Sequence, residues 1–292
     1  MTSSNALYSL PAPAKLNLFL HVIGQRKDKK HLLESVFILL DRKDTIDLEL
    51  LENGDIERTG DIVGNPEEDL CVRAARLLKD TYHIERGVRI RVHKTIPSGA
   101  GMGGGSSDAA TTLIGLNTLW KLNLPRRTLC ELGVRLGADV PFFIFGRNAF
   151  VEGIGEVQTP VSIPKTRFFV IWPGKSVSTA KIFASPALTR DTESTKIQPF
   201  IDAVKTNWPQ LFGHNDLEPV AVSYEPEIAN ALQWLTPYTE PRMTGSGSAV
   251  FGVAHSGEAN MVQTVFTGMP DSWVGFIPES LSEHPLAQWL DD

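Results

Sequence analysis

The run from Ile96 to Ala110 constrains this chain most, because it changes abruptly from glycine-rich to helix-forming sequence. Five of the seven residues from Gly99 to Gly105 are glycine, which tolerates positive φ and lets a ligand approach the backbone amides. Ser106, Ser107 and Asp108 are favourable N-caps for a helix, and the free amides at a helix N-terminus attract anions. The run therefore predicts a phosphate-binding loop that opens a helix.

The segments on either side of this loop support the same interpretation. Residues 88–93 alternate apolar and basic side chains, which is typical of a half-buried strand. From Ala109 to Trp120 the apolar residues recur at helical spacing. A flexible linker would not run directly into such a helix, so we expect a folded unit of strand, glycine loop and helix.

Other nucleotide-binding loops fit this run less well. Gly99, Gly101 and Gly104 match the G-x-G-x-x-G pattern of dinucleotide-binding folds, which is weak evidence by itself. Those folds place an acidic residue about 20 positions further on, where this chain has the segment 121–125 without an acid. The ending of a Walker loop and the motifs of protein kinases are absent. A dinucleotide-dependent oxidoreductase is nevertheless an alternative from another enzyme class.

Composition limits the classes of partner and the compartment. The chain has 292 residues and a formal net charge of −6, which argues against general binding of nucleic acid or of a membrane surface. We therefore expect a small-molecule substrate. Cys71 and Cys130 lack the spacing of a metal site and indicate reduced thiols in the cytoplasm. The sequence shows neither a signal peptide nor a membrane span, and it leaves the oligomeric state open.

The strand and helix patterns predict two domains with α+β architecture. The elements expected first are strands at 11–23 and 45–50 and helices at 69–80 and 128–136. Beyond the proline-flanked segment 160–164, the expected elements are a strand at 167–174 and helices at 227–235 and 257–266. We place a nucleotide-binding domain at residues 1–160 and a second α+β domain at residues 161–292.

Three polar side chains stand in apolar surroundings and need partners. Lys15 and Asn17 share one face of the strand at 11–23 by period-two geometry. A solvated strand end would also account for Lys15. Asp139 lies between small residues and an apolar stretch, so it is either a structural acid, capping a helix or ion-paired, or a catalytic group. Lys15 is a partner that would keep Asp139 ionised.

Three segments together resemble the superfamily of small-molecule kinases named for galactokinase, homoserine kinase, mevalonate kinase and phosphomevalonate kinase. They are Pro13–Leu18, Pro97–Ala110 and Thr244–Gly247. Four stretches are similar to the branch of this superfamily whose acceptor is 4-diphosphocytidyl-2-C-methyl-D-erythritol. They are Ala14–Leu20, Gly103–Ala110, Leu136–Pro141 and Glu152–Glu156. The resemblance implies an α+β, two-domain small-molecule kinase fold with the active-site cleft between the domains.

The resemblance also implies an activity and its residues. ATP, accompanied by Mg²⁺, would transfer its γ-phosphate to the 2-hydroxyl of that acceptor in non-mevalonate isoprenoid synthesis, with Asp139 as base and Lys15 beside it. The metal ligands are left unassigned. The residues implied to bind ATP are Leu70, Lys94, Pro97, Gly99, Ala100, Gly101, Met102, Gly103, Gly104, Gly105, Ser106 and Ser107. Those implied to bind the acceptor are Asn17, His31, Phe37, Asp139, Phe183 and Gly245.

The sequence departs from the pattern of this branch at a few positions. Lys29 and Lys30 precede His31 where glycine and tyrosine are usual, Ala100 replaces a glycine, and Asp69 replaces an asparagine. A lysine does not stack on a nucleobase as a tyrosine does, which keeps open a related kinase with another alcohol acceptor. A catalytically silent nucleotide sensor is a further alternative, against which the presence of both Lys15 and Asp139 counts.

Overall fold

The computed structural model describes residues 5–254 and 264–292 of the chain. Its named strands are β1 (Ala6–Gln25), β2 (His31–Leu51), β3 (Ile56–Gly60), β4 (Gly87–His93), β5 (Ala149–Gly153), β6 (Val157–Pro160), β7 (Arg167–Trp172), β8 (Arg242–Met243), β9 (Val250–Ala254), β10 (Val274–Phe276) and β11 (Ser280–Leu281). Within those residues, β1 to β6 and β11 form a seven-stranded sheet, and β7 to β10 form a four-stranded sheet.

Helices cover these sheets, which gives the α+β content expected from the sequence. They are α1 (Leu70–Tyr82), α2 (Gly104–Leu119), α3 (Arg126–Val134), α4 (Val140–Phe145), α5 (Thr179–Ala184), α6 (Ile197–Asn207), α7 (Glu218–Tyr224) and α8 (Glu227–Leu235). None of the described helices combines the length and apolar character needed to cross a bilayer. Of the helix expected at 257–266, residues 257–263 lie outside the described ranges.

The larger sheet is built around β2, which pairs with β1, β4, β5 and β11. The strand expected at 45–50 is the second half of this longer strand. Its first half is buried almost without interruption, whereas its second half alternates between buried and partly exposed residues. The strand expected at 11–23 is confirmed as part of β1, and its continuous apolar run is buried because both faces of the strand are covered.

The pairing of strands argues against a dinucleotide-binding fold. Among pairs of named strands in the described part of the chain, β3 with β4 is parallel and the others are antiparallel. The dinucleotide fold needs an open, mostly parallel sheet, with the glycine loop following its first strand. The glycine loop here follows β4, whose neighbour β2 runs antiparallel to it.

Helix α2 begins at least three residues earlier than its sequence indicates. Ser106, Ser107 and Asp108 were expected to supply the N-cap, and this expectation is wrong, because the cap is Gly103 with φ of 73°. A non-glycine residue rarely takes that conformation, so the glycine ends the loop and starts the helix. The three expected capping residues lie inside the first turns instead. Helix α3 likewise starts at Arg126, two residues before the expected position.

A shared core joins the two sheets and fixes the region between them. Leu16 and Leu18 of β1 and Ile38 of β2 belong to one cluster of buried residues with Phe168 of β7 and Phe251 of β9. A second cluster packs α1 to α4 against the larger sheet. Ile96, Ala100 and Met102 of the glycine loop belong to the first cluster, and the buried apolar residues of α2, which follows the loop, belong to the second.

Candidate active site

The glycine loop connects β4 to α2 and is tied to both sheets through its backbone. The amide of Lys15 in β1 donates a hydrogen bond to the carbonyl of Met102 at 3.0 Å. The amide of Ala249, just before β9, donates to the carbonyl of Ala100 at 3.1 Å. These bonds leave the amides at the start of α2 uncommitted, because the first turn of a helix has no internal acceptors for them and Gly103 provides no side-chain cap.

Gly101 allows the loop to meet the turn that precedes β9. Its φ is 75°, and a Cβ at this position would lie 2.3 Å from the carbonyl oxygen of Thr244. On the facing turn, a Cβ at Gly245 would lie 2.7 Å from the carbonyl oxygen of Gly101 and 3.2 Å from Lys15 Nζ. The two glycine turns and the lysine are therefore in close contact, and glycine is needed on both sides.

Lys15 and Asp139 lie near each other at the end of this loop. The distance from Lys15 Nζ to Asp139 Oδ2 is 3.9 Å, and the side chain of Lys15 is 4% exposed while that of Asp139 is 35% exposed. Burial lowers the pKa of Lys15, and the carboxylate of Asp139 acts in the opposite direction. The structure thus brings the two residues together, with the lysine in the protein interior and the aspartate open to the cavity.

A chain of hydrogen bonds holds Lys15 in this position. Its ammonium donates to Asn17 Oδ1, and Asn17 Nδ2 donates to Ser35 Oγ at 2.9 Å. The ammonium also lies 5.0 Å from the centre of the Phe37 ring, a cation–π contact. Asn17 and Phe37, both expected to bind the acceptor, are therefore placed beside the lysine as well as on the cavity.

Asp139 does not serve as a structural cap. It stands at the N-cap position of α4, yet its side chain accepts no capping hydrogen bond. Lys15 is its ion-pair partner among the described residues, at a distance too long for a hydrogen bond. Of the roles that the sequence left open, the capping role is therefore wrong.

One cavity of about 1100 Å³ takes in nearly all of the expected site residues. Ser107 is the exception, since it is fully buried and its Oγ has no hydrogen-bond partner among the described residues. The expected residues that line the cavity are Lys15, Asn17, His31, Phe37, Leu70, Lys94, Pro97, Gly99, Ala100, Gly101, Met102, Gly103, Gly104, Gly105, Ser106, Asp139, Phe183 and Gly245.

Lys94, expected to bind ATP, is held in a buried cluster with two aspartates. Its ammonium contacts Asp44 Oδ2 and, at 2.6 Å, Asp108 Oδ2. Asp44 also accepts hydrogen bonds from the amides of Thr95 and Ile96 at the base of the loop. Burial raises the pKa of Asp108 to about 7, the neighbouring Asp44 adds to this, and Lys94 opposes it. Lys94 thus braces the loop and α2 in addition to lining the cavity.

His31 and Phe183 form the far end of the cavity, where the acceptor was expected to bind. Their ring centres are 4.8 Å apart with planes inclined by 28°, a stacked arrangement. Burial lowers the pKa of His31, and the nearby Arg190 lowers it further. Lys29 and Lys30 line the cavity beside this pair, in the place where the family pattern has glycine and tyrosine.

Some contributing residues carry no recognisable sequence signal. Thr179 Oγ1 and Ser246 Oγ lie 2.6 Å apart and join the start of α5 to the turn before β9. Asp44 and Arg190 support Lys94 and His31 from positions far away in the chain. The sequence around an isolated hydroxyl, acid or arginine in a polar segment does not indicate such a contact. These supporting residues are therefore identified only from the structure.

Comparison with known proteins identifies the family. Residues 69–147 match the family model described as the GHMP kinases N terminal domain, and residues 190–267 match the GHMP kinases C terminal model. The 4-diphosphocytidyl-2-C-methyl-D-erythritol kinase of Polynucleobacter necessarius subsp. necessarius is 50% identical over 282 residues, which cover 95% of this chain and 94% of that protein. The chain belongs to the 4-diphosphocytidyl-2-C-methyl-D-erythritol kinase family. The member from Thiobacillus denitrificans is 49% identical over 97% of this chain and 99% of its own length.

Solved structures agree with membership of the 4-diphosphocytidyl-2-C-methyl-D-erythritol kinase family. A crystal structure of 4-(cytidine 5'-diphospho)-2C-methyl-D-erythritol kinase, 30% identical, matches with a TM-score of 0.77 over 92% of this chain and 98% of that one. The homoserine kinase of Cytophaga hutchinsonii, 14% identical, matches with a TM-score of 0.65 over 97% of both chains and shows the fold alone. The expected two-domain small-molecule kinase fold is confirmed.

Proposed function

We propose that this chain transfers the γ-phosphate of ATP to the 2-hydroxyl of 4-diphosphocytidyl-2-C-methyl-D-erythritol, giving the 2-phosphate and ADP in the non-mevalonate route to isoprenoid precursors. The acceptor follows from the names of relatives about half identical to this chain along nearly all of its length. The observation that carries the proposal is the single cavity shared by the glycine loop, the pair Lys15 and Asp139, and the stack of His31 and Phe183.

ATP binds in this scheme with its phosphates on the glycine loop. The amides of Gly104, Gly105 and Ser106 at the start of α2 donate to the phosphate oxygens, and the positive end of the helix favours their charge. Leu70 and Lys94 line the part of the cavity assigned to the adenosine. The rigid ties of the loop to both sheets keep the donors in place before ATP arrives, which favours catalysis by alignment.

Asp139 accepts the proton of the acceptor's 2-hydroxyl while that oxygen attacks the γ-phosphorus. The new oxygen–phosphorus bond forms as the bond to the β,γ-bridging oxygen breaks, and ADP leaves with the electron pair of that bond. Lys15 stabilises the negative charge on Asp139 and on the attacking oxygen, since its ammonium lies 3.9 Å from the carboxylate. The dissociative character of phosphoryl transfer means that alignment matters more than the strength of the base.

We infer that Mg²⁺ accompanies ATP. Mg²⁺ in such sites is held by one or two carboxylates and by substrate phosphates, and the cavity offers the side chain of Asp108 and the hydroxyl of Ser106. The Oδ1 atom of Asp108 has no hydrogen-bond partner among the described residues. These oxygen donors fit the metal. When bound, it neutralises charge on the phosphate oxygens.

We also propose a cytoplasmic location. Cys71 and Cys130 are free thiols in the structure, which is usual for proteins of a reducing compartment.

The activity is tested by measuring ADP release from ATP with a panel of alcohols. The panel consists of 4-diphosphocytidyl-2-C-methyl-D-erythritol, mevalonate, homoserine and galactose. We expect turnover with the first acceptor and a kcat/KM at least a hundredfold lower with the others, on the order expected when buried polar groups are left unpaired. Turnover of another alcohol in preference to the first would contradict the proposal.

A further inference from the structure

The hydrogen bonds around His31 fix which ring nitrogen carries its proton. Arg190 Nε lies 3.1 Å from His31 Nε2. A guanidinium stays protonated and has only donors, so Arg190 donates and His31 Nε2 accepts. Gln25 Nε2, which also donates to the carbonyl of Lys29, lies 3.3 Å from the same nitrogen. Since Nε2 supplies the lone pair, the neutral ring of His31 carries its proton on Nδ1.

Arg190 lies in the segment that follows α5, and its guanidinium is held by backbone carbonyls of that region. Its Nη1 donates to the carbonyl of Leu188 at 2.9 Å. Its Nη2 donates to the carbonyls of Phe183 at 3.0 Å and Ser185 at 2.7 Å. One guanidinium therefore binds both the segment that carries Phe183 and the ring of His31, and it sets the orientation of the two stacked rings.

The proton on Nδ1 matches one edge of a cytosine. His31 lines the cavity, and its Nδ1 has no hydrogen-bond partner among the described residues. Cytosine presents acceptors at N3 and O2, whereas uracil carries a hydrogen on N3, and proteins read such bases by hydrogen bonds to this edge. Both bases accept at O2, so only a donor that faces N3 tells them apart: it pairs with the N3 lone pair of cytosine and is opposed by the N3–H of uracil.

We propose that Arg190 is a positioning residue that holds His31 as the Nδ1–H tautomer, so that this ring donates a hydrogen bond to N3 of the acceptor's cytosine. The inference rests on the proposed function, because it assigns the cytosine end of the acceptor to this part of the cavity. Arg190 itself does not line the cavity, and it acts through His31.

The tautomer can be measured directly in the unliganded protein. Long-range ¹H–¹⁵N correlation spectra at pH 8 are recorded for the wild type and for Arg190→Met, with His31→Asn used to assign the signals. We expect the Nδ1–H form in the wild type and the Nε2–H form or a mixture in Arg190→Met. A wild-type protein with the Nε2–H form would overturn the proposal without any variant.

The effect on base recognition is measured by calorimetric titration with CDP and UDP. We expect Arg190→Met to weaken CDP binding roughly fivefold, the effect of one hydrogen bond, and to leave UDP binding unchanged. Arg190→Lys, which retains a donor, should keep part of the preference for CDP. Arg127→Met is the control, because this arginine is exposed and paired with Glu131 on α3, away from the cavity.

The outcomes separate this inference from the proposed function. An unchanged ratio of CDP to UDP affinity in a folded Arg190→Met protein overturns the positioning role. If Arg190→Met does not fold, the tautomer of His31 in the wild type and the ratio of CDP to UDP affinity in Arg190→Lys test the positioning role instead. Wild-type protein that shows the Nδ1–H form and prefers CDP but fails to phosphorylate the acceptor would contradict the proposed function alone.

Discussion

Lys15 and Asp139 divide the proposed chemistry between a buried cation and a partly exposed carboxylate. The lysine cannot be solvated in its position, so its charge acts on the carboxylate and on whatever oxygen binds beside it. The aspartate is open to the cavity and has no capping hydrogen bond to give up. Because the lysine is buried and the aspartate is accessible from the cavity, the pair is suited to accept a proton from an alcohol.

Asp139→Asn should remove most of the turnover while leaving the fold and ATP binding nearly intact. The substitution deletes the charge without changing the shape, and loss of a general base costs on the order of 10² to 10⁴ in rate. The measurement is kcat and the KM for ATP, with Asp80→Asn on the exposed face of α1 as the control. Full kcat in Asp139→Asn would show that the aspartate is structural.

Asp108 gives the folded protein a specific dependence on pH. Its folded pKa is about 7, above the ordinary value of 3.8, so the folded state binds this proton more tightly than the unfolded state. The resulting stabilisation is complete below about pH 4 and is lost as the pH rises through 7.

Asp108→Asn cannot titrate at this position and removes that dependence. Between pH 5 and pH 8, the free energy of unfolding of the wild type should fall by about 2 kcal/mol more than that of Asp108→Asn. Urea unfolding of both proteins at the two pH values measures it. An identical pH dependence in both proteins would count against the buried cluster of Lys94, Asp44 and Asp108.

The glycine loop works at the scale of elements, because it joins β4, α2 and the turn before β9. Gly101→Ala should weaken ATP binding and destabilise the fold, since its Cβ would clash with the carbonyl of Thr244. Gly64→Ala is the matched control, with φ of 76° and no atom within 4 Å of the added Cβ. In both variants an alanine at positive φ lowers the free energy of unfolding by about 1 kcal/mol. Only Gly101→Ala adds a steric clash to this loss.

The unfolding free energy and the KM for ATP decide between these outcomes. Equal losses in Gly101→Ala and Gly64→Ala would mean that the contact between the two turns has no energetic importance.

How far the elements could be predicted depends on where their stabilising contacts lie. The apolar run of β1 and the periodicity of α8 are local, and both elements form where the sequence indicates. The continuation of β2 through the charged residues 41–44, by contrast, depends on contacts with residues that are distant in the sequence. Asp44 is fully buried there because its carboxylate accepts amides from residues 95 and 96, and no pattern within β2 reveals those donors.

The same distinction applies to the candidate site. Short motifs and the family resemblance indicated the glycine loop, Lys15 and Asp139, and the structure brings them together. Arg190 could not be predicted, since its contact with His31 joins residues 159 positions apart within a segment that lacks periodicity. The residues that hold a site residue in place are therefore identified only from the structure, even where the site residue itself lies in a recognisable motif.

At the scale of the whole molecule, the end of the chain returns to the sheet formed by its beginning. β11 pairs with β2, and Arg126 donates hydrogen bonds to the carbonyls of Ala287 and Leu290. The division of domains at residue 160 stays a prediction. In that division, the last residues of the second domain would complete the sheet of the first.

Arg126→Ala and Arg127→Ala test how much this return stabilises the molecule. Arg126 also donates to the carbonyls of Ile144 and Phe145, so its loss should cost about 1–3 kcal/mol of unfolding free energy. Arg127 is exposed and bound only to Glu131 in the described structure, and its loss should cost less than about 0.5 kcal/mol. Urea unfolding measures both values, and equal small costs would show that the terminal contacts are unimportant.

The central claim is that one cavity aligns ATP with a single hydroxyl of the acceptor. ³¹P NMR of the complete reaction mixture, with purified protein, ATP, Mg²⁺ and 4-diphosphocytidyl-2-C-methyl-D-erythritol, tests this most directly. The account predicts one ADP for each new phosphomonoester, located on the 2-oxygen of the acceptor. ADP formed without phosphorylated acceptor, or a phosphate on another hydroxyl, would contradict it.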